Sequence, residues 1–321
     1  MASPTDDHES NVTYQQLADL EHEFDEVEAE IIRQQVQLTK PLYEKRHNLI
    51  SQIKGFWPLV FEQAPPDIDE YIQPSDSAVL LSSLTSLSVL RFEIENGGKG
   101  DPRSVAIRFE FAENEYFDDR VLEKKFWYRR SKNSAGLVSE PVDIKWKEGK
   151  DLTEGLLSLA KAVWDEEQAT GTNGAKTKGK ELTTKQKALK EKIESVGLGG
   201  VSFFSWFGFR GEHISAEESR IATEEENDKR RCRNAGEEVA SPADDDEEDE
   251  DEDEDELEIF PGGDQLALAI SDDLWPGAIK YFTQAQEAED ISDIDFESDE
   301  ELRDADGMED EDERPSKKRK A

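Results

Sequence analysis

Between Thr13 and Phe56 the apolar residues Leu17, Leu20, Phe24, Val27, Ile31, Leu38, Leu42, Leu49 and Ile53 follow one another in steps of three, four, three, four, seven, four, seven and four. Polar Gln34 and Lys45 fill the two skipped positions. This heptad spacing keeps one narrow stripe on one side of a helix, where a second helix can cover it. The pattern predicts a helix over 13–57, a rod of roughly 60 Å at ~1.5 Å per residue. So long a rod outruns a single small domain, so the stripe is expected to pair with its counterpart in a homodimer. Pro41 lies inside the pattern and is expected to kink the rod without ending it, because the stripe resumes at Leu42 and Leu49.

Beyond Gly55-Phe56-Trp57-Pro58 the periodicity changes. Leu80, Leu84 and Leu87 share a face of a short helix expected over 77–87. Strand signals follow. Val89–Ile94 alternates in part, and Val105, Ile107, Phe109 and Phe111 alternate strictly with Ala106, Arg108 and Glu110. Val121–Arg130 makes a third strand, and Val142–Trp146 a fourth, after a polar loop at 131–140. Connections too short for crossover helices predict an antiparallel meander. Its greasy face needs covering helices, expected at Asp151–Glu167 and in a later segment around 266–282. The fold class is α+β.

Charge adds tails to this picture. Of 321 residues, 78 are acidic and 39 basic, for a net charge of -39. Residues 244–256 are all Asp or Glu, and 287–313 are mostly acidic. Such blocks repel themselves and predict disorder. The organisation expected is therefore a disordered start at 1–12, a dimerisation helix at 13–57, a lobe made of 58–207 and 265–285, a disordered acidic insertion at 211–264, and a disordered acidic tail with a basic end at 286–321. A chain this acidic repels phosphates and anionic membranes and attracts basic proteins. Neither sequence-specific nucleic acid binding nor membrane binding is expected.

The chain carries few residues in patterns that support chemistry. Cys232 is the single cysteine, so no Cys cluster can hold zinc, and the four histidines are scattered. Gly174–Lys180 satisfies the first places of a phosphate-binding loop, but Glu181 stands where Ser or Thr should hold magnesium. No catalytic residue, cofactor or metal is expected, and the chain is not read as an enzyme. No apolar run approaches 18 residues and no secretory pattern opens the chain, which predicts a soluble intracellular protein. Lys317, Lys318, Arg319 and Lys320 fit a nuclear-import cluster, giving an expected nuclear location with shuttling to the cytoplasm. Ser292 and Ser298 precede acidic residues and fit acidophilic kinases.

Five motifs in order carry a resemblance: the heptad helix ending in Gly55-Phe56-Trp57, the Phe-Ala-Glu-Asn-Glu-Tyr-Phe run at 111–117, the Ile144–Thr153 run, Ser202–Phe207, and Ser271–Pro276. Together the chain resembles the nucleosome assembly protein (NAP) family, in its SET / template-activating-factor branch, over 13–207 and 265–285. The resemblance implies a headphone-shaped homodimer with an α+β "earmuff" at each end of paired helices. It also implies a histone chaperone that binds core histones on an acidic face and promotes nucleosome assembly without catalysis. Carried over by position, the histone-binding candidates are Glu113, Glu115, Asp118, Asp119, Glu148, Asp151, Asp272 and Asp273. Helix capping is the competing role for Asp151 and Asp272. Trp57, Trp146, Phe204, Trp206 and Trp275 are assigned to the core. The alternative that the resemblance leaves open is a scaffold that modulates a histone acetyltransferase or a protein phosphatase. One departure stands out. Some fifty polar residues separate the Trp206 and Trp275 motifs, where the branch has a short connection. They are expected to act as a second acidic arm.

Overall fold

The computed structural model describes residues 12–132, 134–170, 182–197, 200–234 and 257–288. Helix α1 (Tyr14–Ile50) opens with a capping box: the Gln16 amide donates to Thr13 Oγ1 at 3.2 Å, and the Thr13 amide donates to Gln16 Oε1 at 2.9 Å. It runs through Pro41 and spans roughly 55 Å. The helix ends seven residues earlier than the 13–57 expectation. Gly55, at φ +77, turns the chain into a separate helix α2 (Phe56–Glu62). Short helices α3 (Pro66–Asp69) and α4 (Pro74–Ser83) follow, each with proline at its first turn.

The sheet is a four-stranded antiparallel meander in the order β1 (Leu84–Leu90), β2 (Val105–Phe111), β3 (Val121–Arg130), β4 (Ala135–Ser139). Two strands differ from expectation. The Leu84/Leu87 spacing of three reads as helical, but a register shift between Leu84 and Ser86 puts both on the buried face of β1. A bulge thus imitated a helix, and Arg91–Ile94 lies beyond the strand. The fourth strand is Ala135–Ser139, hidden in the stretch read as a polar loop. Only Leu137 and Ser139 of its five residues are buried. The Val142–Trp146 segment instead joins the sheet's margin: the Val142 amide donates to the Phe207 carbonyl at 2.8 Å, and Trp146 bridges Phe117.

Helices α5 (Leu156–Thr170) and α6 (Thr184–Val196) pack on one another, with Leu156, Ala160, Val163 and Leu189 buried between them. Helix α5 starts five residues after Asp151, because Glu154 and Gly155 hold positive φ in the preceding turn. The core is aromatic. The 3-10 turn Phe203–Gly208 is wholly buried, and Phe109 meets Phe203, Trp206 and Phe207 edge-on at 5.9–6.2 Å between centroids. Asp76 of α4 lies at zero exposure among donors: Ser202 Oγ at 2.5 Å, the Phe203 amide at 2.7 Å and the Gln73 amide at 3.0 Å. Burial raises its pKa, against those hydrogen bonds. Asp76→Ala strands these donors and should cost about 2–4 kcal/mol, read as a lowered urea midpoint.

Lys124 of β3 is fully buried, and its Nζ donates to the carbonyls of Glu140 (3.1 Å), Phe207 (3.0 Å) and Phe209 (2.9 Å). Loss of water pushes its pKa down to about 7, although the Glu258 and Glu140 carboxylates favour the charged form. Between about 7 and the ordinary value of 10.5 the unfolded chain holds a proton on this lysine that the fold sheds. Stability should therefore rise with pH in that window, by up to ~1.4 kcal/mol per unit, and Lys124→Met should remove that slope from urea titrations at pH 7 to 9. Half-buried Glu258 accepts from the amides of Arg210 (2.9 Å), Gly211 (3.3 Å) and Phe260 (2.9 Å), and so pins the segments on either side of 212–257 to each other.

Part of the expected disordered insertion is helical. Helix α7 (Ala216–Asn234) starts at Ser215, whose Oγ accepts from the Glu218 amide at 3.1 Å. Arg220 links it internally to Glu217 and Glu224, both at 2.6 Å, one turn either side. Local capping and ion pairing make a helix of a segment that has almost no apolar residues. The 1–11, 244–256 and 289–321 stretches, with Ser292, Ser298 and the Lys317–Lys320 cluster, lie outside the described residues, as does the Gly174–Lys180 motif.

Candidate interaction surfaces

Helix α1 has two faces. The expected pairing residues Leu17, Leu20, Phe24, Val27, Ile31, Leu38, Leu42 and Leu49 all point away from the lobe and are 48–74% exposed. The opposite face carries Ala29, Ile32, Val36, Tyr43, Arg46 and Ile50, which are buried or half-buried. Its anchor is Arg46. The guanidinium lies 4.5 Å from the Trp275 ring centre and 4.7 Å from that of Tyr43, and donates to the Trp275 carbonyl at 2.5 Å. The rod is thus fixed to its own lobe by one face, and that contact leaves the heptad stripe uncovered.

The acidic candidates fall into two groups. The 112–120 loop and the 143–151 stretch are laced together: the Asp118 amide donates to the Lys145 carbonyl (3.0 Å) and the Lys147 amide to the Tyr116 carbonyl (2.8 Å). This brings Glu113, Glu115, Asp118, Asp119, Glu148 and Asp151 to one corner. Lysines come with them. Lys150 pairs with Glu115 at 2.6 Å and holds that carboxyl below its usual range; Lys147 reaches Asp118 at 3.9 Å and Lys145 reaches Asp119 at 3.6 Å. Glu113, Glu115, Asp118 and Glu148 are exposed. Asp119 is only 18% exposed and accepts from the Lys145 amide at 2.7 Å.

Asp151 is committed to its own turn, accepting from the amides of Thr153 (2.8 Å) and Gly155 (2.9 Å) and from Thr153 Oγ1 (2.7 Å). These bonds close the turn at 151–155 and do not cap α5, which begins at Leu156. Asp272 and Asp273 lie elsewhere. Asp272 pairs with Arg91, just past the Leu90 end of β1, whereas the 112–120 loop follows Phe111, which pairs with Leu84 at the other end. Six residues of strand, ~20 Å, separate the two ends. Asp273 accepts from the Tyr281 hydroxyl at 2.8 Å. The eight candidates therefore do not form one patch. Sequence spacing could not show that separation, nor the lysines that accompany the larger group.

The tryptophan assignments hold in graded form. Trp57, Phe204 and Trp206 are buried, while Trp146 and Trp275 are partly buried against the core. Among the described residues no cluster of His, Cys, Asp and Glu is arranged to hold a metal, and no helix is long and apolar enough to cross a membrane.

An α+β lobe on a long helix, with an antiparallel meander backed by aromatic turns and an apolar stripe left open, defines a rod-and-lobe class of protein. The profile of the family described as "Nucleosome assembly protein (NAP)" matches residues 50–285. The chain belongs to the nucleosome assembly protein family. It is 37% identical over 174 residues to a nucleosome assembly protein of Schizosaccharomyces pombe, covering 51% of this chain and 69% of that one. It is also 37% identical over 125 residues to Protein SET of Drosophila melanogaster, covering 38% of this chain and 43% of that one. The crystal structure of a Ccp1 mutant matches with a TM-score of 0.50 at 26% identity, over 86% of this chain and 96% of the other. That of Vps75 matches with a TM-score of 0.52 at 22% identity, over 85% and 98%. The latter likeness is one of fold.

Proposed function

We propose that the chain is a homodimeric histone chaperone that binds core histones through carboxylates and promotes nucleosome assembly without catalysis. Family membership over residues 50–285 carries the reading. The uncovered heptad stripe supports the dimer, and the net charge of -39 supports a basic cargo. Nuclear residence, with shuttling to the cytoplasm, follows as part of the same proposal.

The mechanism is charge substitution. Histones bind DNA tightly because each phosphate contact releases counterions. Carboxylates occupying the same Lys and Arg groups make many weak contacts, each worth about 0–1 kcal/mol and screened by salt. Two lobes on one rod add avidity. The contacts exchange, so DNA still takes the histone at its proper site.

The distribution of charge ranks the contributors. The 112–120 and 143–151 stretches hold four basic residues against seven acidic ones, whereas 244–256 holds thirteen acids and no base. We assign the larger electrostatic share to the 244–256 arm, and orientation of the cargo to Glu113, Glu115, Asp118 and Glu148. Fluorescence titration with core histones tests this. Deleting 235–256, which spares α7, should weaken binding by about ten-fold or more at low salt and flatten its salt dependence. The quadruple change Glu113→Gln, Glu115→Gln, Asp118→Asn, Glu148→Gln should cost roughly three- to thirty-fold. Unchanged affinity for both variants across salt would remove the acidic-surface account and favour the scaffold alternative, with a histone acetyltransferase or phosphatase as the partner to seek.

A further inference from the structure

Helix α7 docks in an unusual way. The residues it turns inward are Ser219, Ala222, Glu226, Lys229, Arg230 and Cys232, none of them a large apolar side chain. Its one large aliphatic residue, Ile221, is 44% exposed. A helix normally docks by burying an apolar stripe, and this one has none to bury. Polar contacts hold it near its start and near its end. Near its start, Ser219 Oγ accepts from the Arg130 amide at the end of β3 (3.0 Å). Near its end, Arg230 pairs with Glu26 of α1 at 2.7 Å, close to Glu23 and Asp19 of the same helix. Arg130, in turn, pairs with Asp25 of α1 at 3.3 Å. The acidic shoulder of the rod, DLEHEFDEVEAE at 19–30, thus carries a guanidinium supplied from the far end of α7. That second half of α7 is basic, with Lys229, Arg230, Arg231 and Arg233, and it leads directly towards the 244–256 acids.

We propose that α7 is a salt-labile clasp whose Arg230 occupies, on the rod's Asp19–Glu26 shoulder, the place that a basic segment of the cargo takes when the clasp releases. The second half rests on the histone reading; the clasp itself does not. The chain shows by its own Arg230 what chemistry the shoulder accepts. A contact made of partly exposed ion pairs, without apolar burial, is weak enough to exchange. Cargo and clasp compete for the same carboxylates, so cargo binding frees the helix that leads to the acidic arm.

Amide hydrogen exchange of the full chain tests both halves. Protection of 216–234 should fall with rising salt and in Glu26→Arg, by roughly two- to five-fold, while β2 and β3 stay unchanged. The charge swap Glu26→Arg with Arg230→Glu should restore it. Maleimide labelling of Cys232, the chain's single cysteine and half-buried near the end of α7, gives an independent readout of the same opening in the Glu26→Arg chain. Saturating core histones at low salt should deprotect 216–234 as well. Protection indifferent to salt and to Glu26→Arg overturns the clasp. Histone binding, seen as a mass increase, with 216–234 still protected overturns the competition. Absence of any mass increase overturns the histone reading and the competition with it, while the cargo-free arm still decides the clasp.

Discussion

Phe24→Glu combined with Leu38→Glu leaves the chain a monomer of 36.4 kDa instead of a particle of twice that mass, with the lobe folded as before. Both side chains stand clear of their own lobe, Phe24 at 64% and Leu38 at 74% exposure, so their replacement removes nothing from the lobe's core. In a paired rod they are seam positions. A dimer would carry four glutamates on its apolar seam, whose one basic position per chain is Lys45. Loss of apolar burial, at about 25 cal/mol per Å², adds to the cost of desolvating each carboxylate. The total exceeds ~4 kcal/mol, a thousand-fold or more in the dissociation constant. Light scattering at micromolar concentration reads the mass, and urea unfolding reads the lobe. A double variant still at twice the chain mass would show that the stripe is not the dimer seam.

Trp206→Ala should have the largest effect on the lobe itself, about 4–5 kcal/mol. The ring is fully buried, stacks on Phe203 at 6.1 Å, lies tilted against Phe126 at 5.2 Å, and meets Phe207 edge-on at 5.4 Å. Its Nε1 donates to the Gly263 carbonyl at 2.7 Å, tying the turn before α7 to the helix Gly263–Ala269 after the acidic stretch. Truncation opens a cavity among large rings that cannot collapse into it and strands a buried carbonyl. Trp206→Phe keeps most of the volume and should lose much less. A urea midpoint for Trp206→Ala equal to the parent's would show that the two segments are not joined through this ring.

The elements that were legible in the sequence are those with a long, unbroken period. Eight of the nine apolar positions lie on α1 and marked its open face, Ile53 falling beyond its end, and strict alternation marked β2. Where a period is broken the reading fails for a local reason. The bulge at Leu84/Ser86 gave β1 a helical spacing, and β4 is too short and too polar for alternation to show. Helix α7 was lost because composition argued for disorder, although the signal was present: Ser215 three residues before Glu218, then Glu217, Arg220 and Glu224 at helical spacing. The candidate site was legible as residue types and not as a place. Nothing in the spacing says that Asp272 sits at the far end of β1 from Glu113, or that Lys145, Lys147 and Lys150 fold onto the carboxylates they follow in sequence.

The measurement that reaches the centre of the account is light scattering of the purified chain with and without core histones, repeated at about 0.1 M and 1 M salt. A histone-binding dimer gives twice the chain mass alone, a heavier complex at the lower salt, and dissociation of that complex at the higher. A dimer whose mass is unmoved by histones at 0.1 M salt would contradict it.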